Sequence, residues 1–315
     1  MARAPGQDAR RCALWALLVG LLAAPCAAPA AVWNLPPPVW PRHRVVYSNA
    51  LSGRYDPWGG EDRIELEYRL RLFDSKSVLW NGTFLGLGLT PTVTPFMTRA
   101  GATLTVRPIS IASVAVAYNY VFWYGALGHV QAFASPGDDY SDTALGRGEG
   151  RALATTGHEL VLRGNLSAKL GPLALSDVAE FTYARTDLEG RGGYTYNPRV
   201  DALVANPGWL VTNDTDLVFV TRVGLVLGAR NSLVHAFGVT GGGAAERDTP
   251  TDRLGPLLAY VFFDRPRRAF DRPTIFLTVG WWLAHRFRTG EDVSQAIPCV
   301  TLGFKFEGEI WGSRD

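Results

Sequence analysis

The chain has 315 residues, 47% of them hydrophobic, and a formal net charge of +2. So small a charge supplies no basic field for nucleic acid. A mean hydropathy of +0.03, with no apolar run of about 18 residues beyond the N-terminal segment, excludes a protein that crosses a membrane on helices.

At the N-terminus Arg3, Arg10 and Arg11 precede an apolar run, Cys12 to Ala24, that is too short to span a bilayer. Ala28-Pro29-Ala30 then fits the small-x-small rule for cleavage. This is the pattern of a secretory signal peptide, so residues 1–30 are set aside and the mature chain is expected to start near Ala31. Pro25 does not suit a lipoprotein signal at Cys26, and the residues around Arg10-Arg11 do not suit a twin-arginine signal. The mature chain keeps only Cys299; an internal disulfide is excluded, and an exported chain without disulfides points to bacteria. The sequons at Asn81, Asn165 and Asn213 therefore carry no glycan meaning. Residues 31–43 are a Pro-rich lead-in of polyproline character, placed in the periplasm.

From there on, period-2 alternation dominates. Ile64, Leu66, Tyr68, Leu70 and Leu72 share one face, against Glu65, Glu67, Arg69 and Arg71 on the other, as only a strand arranges them. Leu160, Leu162, Leu166 and Leu170 oppose Glu159, Arg163, Asn165 and Lys169. Ile275, Leu277, Val279 and Trp281 oppose Thr274, Thr278 and Gly280. These runs predict twelve strands, at 44–55, 62–73, 79–90, 98–107, 111–124, 157–170, 173–186, 214–228, 232–241, 255–263, 274–287 and 296–307. Most reach the roughly 9–11 residues that a tilted strand needs to cross a bilayer.

The connections alternate in length. Short ones are predicted at 74–78, 108–110, 171–172, 229–231 and 264–273; longer ones at 56–61, 91–97, 125–156, 187–213, 242–254 and 288–295. The long ones are polar and Gly-rich, as in Ser135-Pro136-Gly137-Asp138-Asp139-Tyr140. Short turns on one rim and long loops on the other have no reason to exist in a soluble sandwich. Trp123-Tyr124, Tyr183, Tyr260 and Trp281-Trp282, near strand ends, suit aromatic girdles at the interfaces. Val300, Leu302, Phe304 and Phe306 alternate up to an aromatic, and resemble the C-terminal signal that bacterial outer-membrane β-barrels present to their assembly machinery. The chain departs from that pattern by continuing to Asp315. The resemblance covers residues 44–308 and implies a closed, up-and-down antiparallel transmembrane β-barrel. Residues 309–315 are left as a tail, and outer-membrane lipid and the assembly machinery are the implied partners.

On this reading Glu65, Glu67, Arg69, Arg71, Arg107, Arg163, Lys169, Arg222 and Lys305 line the lumen. Leu66, Leu70, Leu162, Leu166, Leu277, Val279, Leu302 and Phe304 face lipid. Small inward residues (Gly82, Gly86, Gly88, Ala115, Ala117 and Gly303) are expected to leave open volume. No cofactor, metal or catalytic set is predicted. His158 and His285 are placed on the lipid side near the extracellular rim, but they are on non-neighbouring strands, and neither is followed by the H-x-S-x-G run of a barrel phospholipase. Asp138, Asp139 and Asp142 lack the spacing of a calcium loop, and Gly241-Gly242-Gly243 opens no helix that would make a phosphate loop. The function expected is a narrow channel for small solutes or ions. The alternatives are a closed barrel acting through its long loops and a membrane-embedded lipid hydrolase.

Overall fold

The computed structural model describes residues 40–313 except 76, 78, 129 and 239–249. The signal peptide, most of the lead-in and most of the Gly-rich stretch after Thr240 lie outside the described residues. In chain order the elements are β1 (His43–Tyr55), β2 (Gly59–Arg71), β3 (Phe84–Leu89), β4 (Thr92–Val93), β5 (Met97–Ile109), β6 (Ala112–Tyr124), β7 (Ala132–Phe133), α1 (Asp142–Arg147), β8 (Ala154–Leu170), β9 (Leu173–Thr186), β10 (Tyr194–Asn197), β11 (Ala202–Ala205), β12 (Gly208–Val220), β13 (Leu225–Ala236), β14 (Thr251–Val261), β15 (Asp271–Ala284) and β16 (Cys299–Gly312).

Thirteen of these strand segments make the twelve strands of a closed all-β barrel, in which each strand pairs antiparallel with the barrel strands before and after it in sequence. The closure is between β1 and β16, in register from Arg44↔Gly312 to Tyr55↔Val300. β3 and β4 are two pieces of one barrel strand, since both lie between β2 and β5. The break falls at Thr90-Pro91, where proline cannot donate to the ladder. Closure leaves no sheet edge unpaired, as a wall in lipid requires.

Alternation sorts the side chains between two faces. On β6 the outward residues Val114, Val116, Tyr118, Tyr120, Phe122 and Tyr124 are all exposed. Leu66, Leu162, Leu166 and Leu302 are outward and exposed, and Leu70, Leu277, Val279 and Phe304 are outward and half-exposed. A contiguous apolar surface of this extent is a membrane surface, and the architecture is that of an outer-membrane barrel. Tyr183 stands beside Trp209 at 5.2 Å, and Tyr260 beside Phe262 at 5.2 Å, at opposite ends of the wall. Trp123 and Trp282 depart from the girdle expectation. They sit one residue out of phase with Tyr124 and Trp281, so both turn inward and are buried.

The outward face is not apolar throughout. Asp177 Oδ2 accepts from Asn213 Nδ2 at 3.0 Å and Thr215 Oγ1 at 2.6 Å, and Asn231 Nδ2 donates to Asp252 at 2.6 Å. These residues share the outward phase of Trp209 and Phe219 on β12, and of Leu254 on β14. Mutual hydrogen bonds reduce the cost of holding them against hydrocarbon.

Several boundaries differ from those read in the sequence. The β12–β13 turn is at 221–224, not 229–231, because Val218 to Leu227 reads as one apolar run. Thr221 Oγ1 bonds both the carbonyl and the N–H of Leu225 (2.9 and 3.0 Å), and Gly224 takes φ +87°, which only glycine adopts readily. Arg222 consequently lies in that turn, exposed. β16 runs on past Phe306 to Gly312, so the residues from 309 to 312 belong to the wall. Long loops contain structure of their own: β10 and β11 pair with each other, and β7 adds to β10.

Candidate channel lumen

One side of the lumen is a lattice of ion pairs. The parity that sends Leu66 outward sends Glu61, Arg63, Glu65, Glu67 and Arg69 inward from β2. Arg63 Nη2 donates to Glu65 Oε1 at 3.0 Å. Arg163, from β8, reaches the same carboxylate at 3.3 Å and Glu180 of β9 at 2.5 Å. Arg69 pairs with Glu67 at 2.5 Å and Arg230 with Asp216 at 2.6 Å, the latter through both arms of the guanidinium. Arg99 pairs with Glu159 at 3.1 Å, each about 5% exposed. Gly86 makes room for one of these groups: a Cβ there would lie 2.2 Å from Glu67 Oε1.

The other side is open. A cavity of about 360 Å³ is lined by Ser52, Arg54, Thr212, Ser232, Arg253, Thr278 and Thr301, and also by Glu61, Arg63, Glu180, Arg199 and Arg230 of the ion-paired groups. Here the cations lack carboxylate partners among the described residues. Arg253 donates only to Cys299 Sγ, at 3.0 Å, and lies 4.9 Å over the Trp282 ring. Arg54 donates to the carbonyls of Pro57, Pro198 and Arg199 at 3.0, 2.6 and 2.9 Å. Lys305, half-way along β16, is exposed to solvent. Towards the periplasmic end Arg44 lies 4.1 Å over the Trp40 ring and Arg107 bonds the Ser110 carbonyl. Asp214 and Glu309 are inward carboxylates that lack an arginine hydrogen bond. Asp214 accepts from Ser232 Oγ at 2.6 Å, and Glu309 lies within electrostatic reach of Arg44.

The extracellular end carries a cap built from the loops 125–153, 187–207 and 285–298. Tyr140, Leu145, Tyr196, Leu203, Val204 and Phe287 form its core with Leu210 and Ala236 of the wall. Its polar hub is Arg288, 2% exposed. It bonds Asp56 at 2.5 Å, Asp142 at 2.8 Å and Asp201. His285 Nε2 faces Asp201 Oδ2 at 3.2 Å. The N–H groups of Phe287 and Arg288 donate to His285 Nδ1 at 3.1 and 3.2 Å. They fix Nδ1 as an acceptor, so the ring is neutral and its proton is on Nε2. Burial raises the Asp201 carboxyl, but the hydrogen bond from His285 and the Arg288 charge outweigh it and hold the group well below the usual carboxylate range. At Asp56 burial prevails over Arg288, and the carboxyl is raised. The cap is anchored from below: Arg199 Nε reaches Glu61 at 3.3 Å, inside the barrel.

The structure brings together Glu65 with Arg163, and Glu67 with Arg69, all inward. Arg71, Arg107, Lys169 and Lys305 are also on the inward phase, with Lys169 exposed near the periplasmic rim. Arg222 is not in the lumen. Arg69 is held by Glu67 of its own strand, whereas Arg163 is held by Glu180 of the neighbouring β9 and reaches across the lumen to Glu65 of β2. Three of the small residues do not supply open volume: Glu67 occupies the space at Gly86 and Gly88, and the Phe276 ring that at Gly303, while Ala115 and Ala117 line a small gap beside Arg63, Arg99 and Arg163. His158 is outward, bonded to Tyr118 Oη at 2.8 Å. His285 is not lipid-facing but buried in the cap. Asp138 accepts from the N–H groups of Ala134 and Ser135 at 2.9 and 3.0 Å, and no metal-binding cluster occurs among the described residues. Sequence reasoning missed Arg63 and Asp216, which extend inward phases already identified, Glu180, on a strand whose faces alternation alone does not separate, and Arg230, which falls in the turn expected at 229–231. It also missed Arg253, which falls in the loop expected at 242–254 but lies on β14, and Arg288, for which no periodicity exists.

No family model and no curated protein matches the chain. Among solved structures it is similar to a KdgM porin in complex with disordered oligogalacturonate (8% identity, 84% of this chain and 98% of that one, TM-score 0.38). It is also similar to the β domain of the Bordetella autotransporter BrkA (11%, 85% and 99%, 0.40) and to Omp33 of Acinetobacter baumannii (10%, 86% and 99%, 0.36). At these scores the likeness carries no argument about solute or mechanism.

Proposed function

We propose that this barrel is a narrow outer-membrane channel for small water-soluble solutes or ions, with its extracellular mouth narrowed by the cap. The observation that carries this reading is the unpaired side of the lumen. Arg253 and Lys305 have no carboxylate partner among the described residues, and an unpaired charge in a dry interior costs several kcal/mol. Such cations persist only against water; Arg253 lines the 360 Å³ cavity, and water continuing from it past Lys305 makes a conduction path. Twelve strands leave a lumen between the filled eight-stranded case and the wide porins, which suits small solutes.

Purified protein in a planar bilayer tests this. Discrete conductance steps that grow with salt concentration are expected. A silent bilayer, with β-sheet content intact by circular dichroism, would overturn the channel and favour a closed barrel that acts through its loops.

A further inference from the structure

Charge balance along the lumen is uneven, and the imbalance has one sign. The carboxylates Glu61, Glu65, Glu67, Glu159, Glu180, Asp216 and Glu307 each bond an arginine. Their charge is cancelled locally, and a passing ion meets a dipole. Five inward cations have no such partner among the described residues, and they occur at every level. Arg54 and Arg253 stand near the extracellular end, Lys305 at the middle, and Arg44 and Arg107 towards the periplasm. Against them, among the described residues, stand Asp214, Glu309 and, near the periplasmic turn, Asp271, which accepts backbone N–H groups alone.

Chemistry distinguishes the two best-placed members. A guanidinium has five N–H donors in a planar fork matched to carboxylate and phosphate oxygens. Arg253 commits one arm to Cys299 Sγ, a weak acceptor, and its ring contact with Trp282 holds the plane beside the cavity. The hydroxyls of Thr278 and Thr301 line the same space and can donate to the same oxygens. Lys305 lies about half-way down, paired across the closure with Ala50. An ammonium there is a point charge with three rotatable donors, which attracts anions without orienting them.

Resting on the channel reading above, we propose that the lumen selects small oxyanions, carboxylates and phosphates, over cations. Arg253 receives the anion beneath the cap and Lys305 relays it through the waist. Neither residue makes an ion pair with a member of the lattice, although Lys305 lies within electrostatic reach of Asp216 and Glu307.

The test is the zero-current potential of the full chain in a planar bilayer under a tenfold potassium chloride gradient, repeated with potassium acetate and potassium phosphate. The wild-type potential is expected to take the sign of an anion-selective pore. Acetate and phosphate are expected to lower the chloride current at millimolar concentration by occupying Arg253. Lys305→Glu should cut the anion-to-cation permeability ratio by at least about threefold, the weight of an elementary charge several ångströms away in water. Lys305→Met should act in the same direction by less, and serves where the glutamate variant fails to fold. Arg253→Gln should relieve the block by acetate and phosphate. A conducting pore that is unselective or prefers potassium overturns this inference and leaves the channel standing. So does selectivity unchanged in both Lys305 variants. A silent bilayer overturns the channel, and the inference falls with it.

Discussion

In the barrel wall, inward charges are spread along several strands and pair along a strand, between neighbouring strands or across the lumen, as Arg163 does with Glu65. In the cap, one guanidinium sits among Asp56, Asp142 and Asp201, and only Asp142, 52% exposed, reaches solvent. The contrast follows from what each region has to bury. The wall gains its stability from a closed hydrogen-bond ladder and an apolar exterior, so its inward charges need only be hydrated or matched. The cap is irregular chain that has to be closed by a few contacts, so it concentrates them on a single residue. The wall is therefore expected to tolerate the loss of any one charge, and the cap to fail locally when its hub is removed.

The largest expected effect is at that hub. Arg288→Ala strands Asp201 and Asp56 in a buried site without their cation. Breaking a buried pair in this way costs about 3–5 kcal/mol, and the Asp142 contribution is discounted because solvent screens it. The cost falls on the cap alone. Hydrogen exchange should speed up in residues 125–153 and 187–207 while the barrel strands keep their protection. Equal loosening of the strands would show that cap and wall are one cooperative unit.

The wall should respond to polarity on one face only. Leu162 lies at the centre of β8, outward and 45% exposed. Leu162→Arg is expected to destabilise the barrel by about 2–4 kcal/mol at mid-membrane depth. Thr301→Arg, on the inward phase, should change it much less. Urea titration in lipid vesicles measures both. If the inward change proves ruinous and the outward one silent, the two faces have been assigned the wrong way round.

The same contrast explains what was legible in the sequence. Strand existence, strand number and the inward phase of Glu65, Arg163 and Lys305 follow from alternation, because a wall with lipid outside has to alternate. Exceptions arise where a second force acts. Trp123 and Trp282 turn inward because register sets their face and aromatic character does not. Asp177 and Asn213 face outward because side-chain hydrogen bonds between adjacent strands satisfy them, and a single strand read alone shows only a break in pattern. Arg222 shows that a turn inside an apolar run is invisible unless the demand for glycine at position 224 is weighed. The hub has no periodic signal at all. Asp56, Asp142, Asp201 and Arg288 come from four separate connections, and only the closed barrel brings those connections to one mouth.

The smallest expected effect, and the one that most sharpens the contrast, is the response of the cap to pH. Its two buried carboxyls are shifted in opposite directions from the same ordinary value of 3.8. Asp201 is held low, so it binds fewer protons in the closed cap than in the open one. Its contribution is complete above the ordinary value and is lost as pH falls towards the depressed one. Asp56 is held high by burial, so the closed cap binds more protons there, and stability declines as pH rises from the ordinary value through the raised one. The two slopes have opposite signs. The cap is therefore expected to be tightest near the ordinary carboxyl value and to loosen as pH moves away from it in either direction. Hydrogen exchange of residues 187–207, corrected for the intrinsic pH dependence of exchange, measures the profile. Asp56→Asn should flatten the neutral limb and spare the acid limb. Asp201→Asn should weaken the cap at every pH and abolish the further loss in acid. The strands of the wall, whose charges stay near water, should show no matching maximum, and a wall profile that followed the cap's would mean that the hub controls the barrel as a whole.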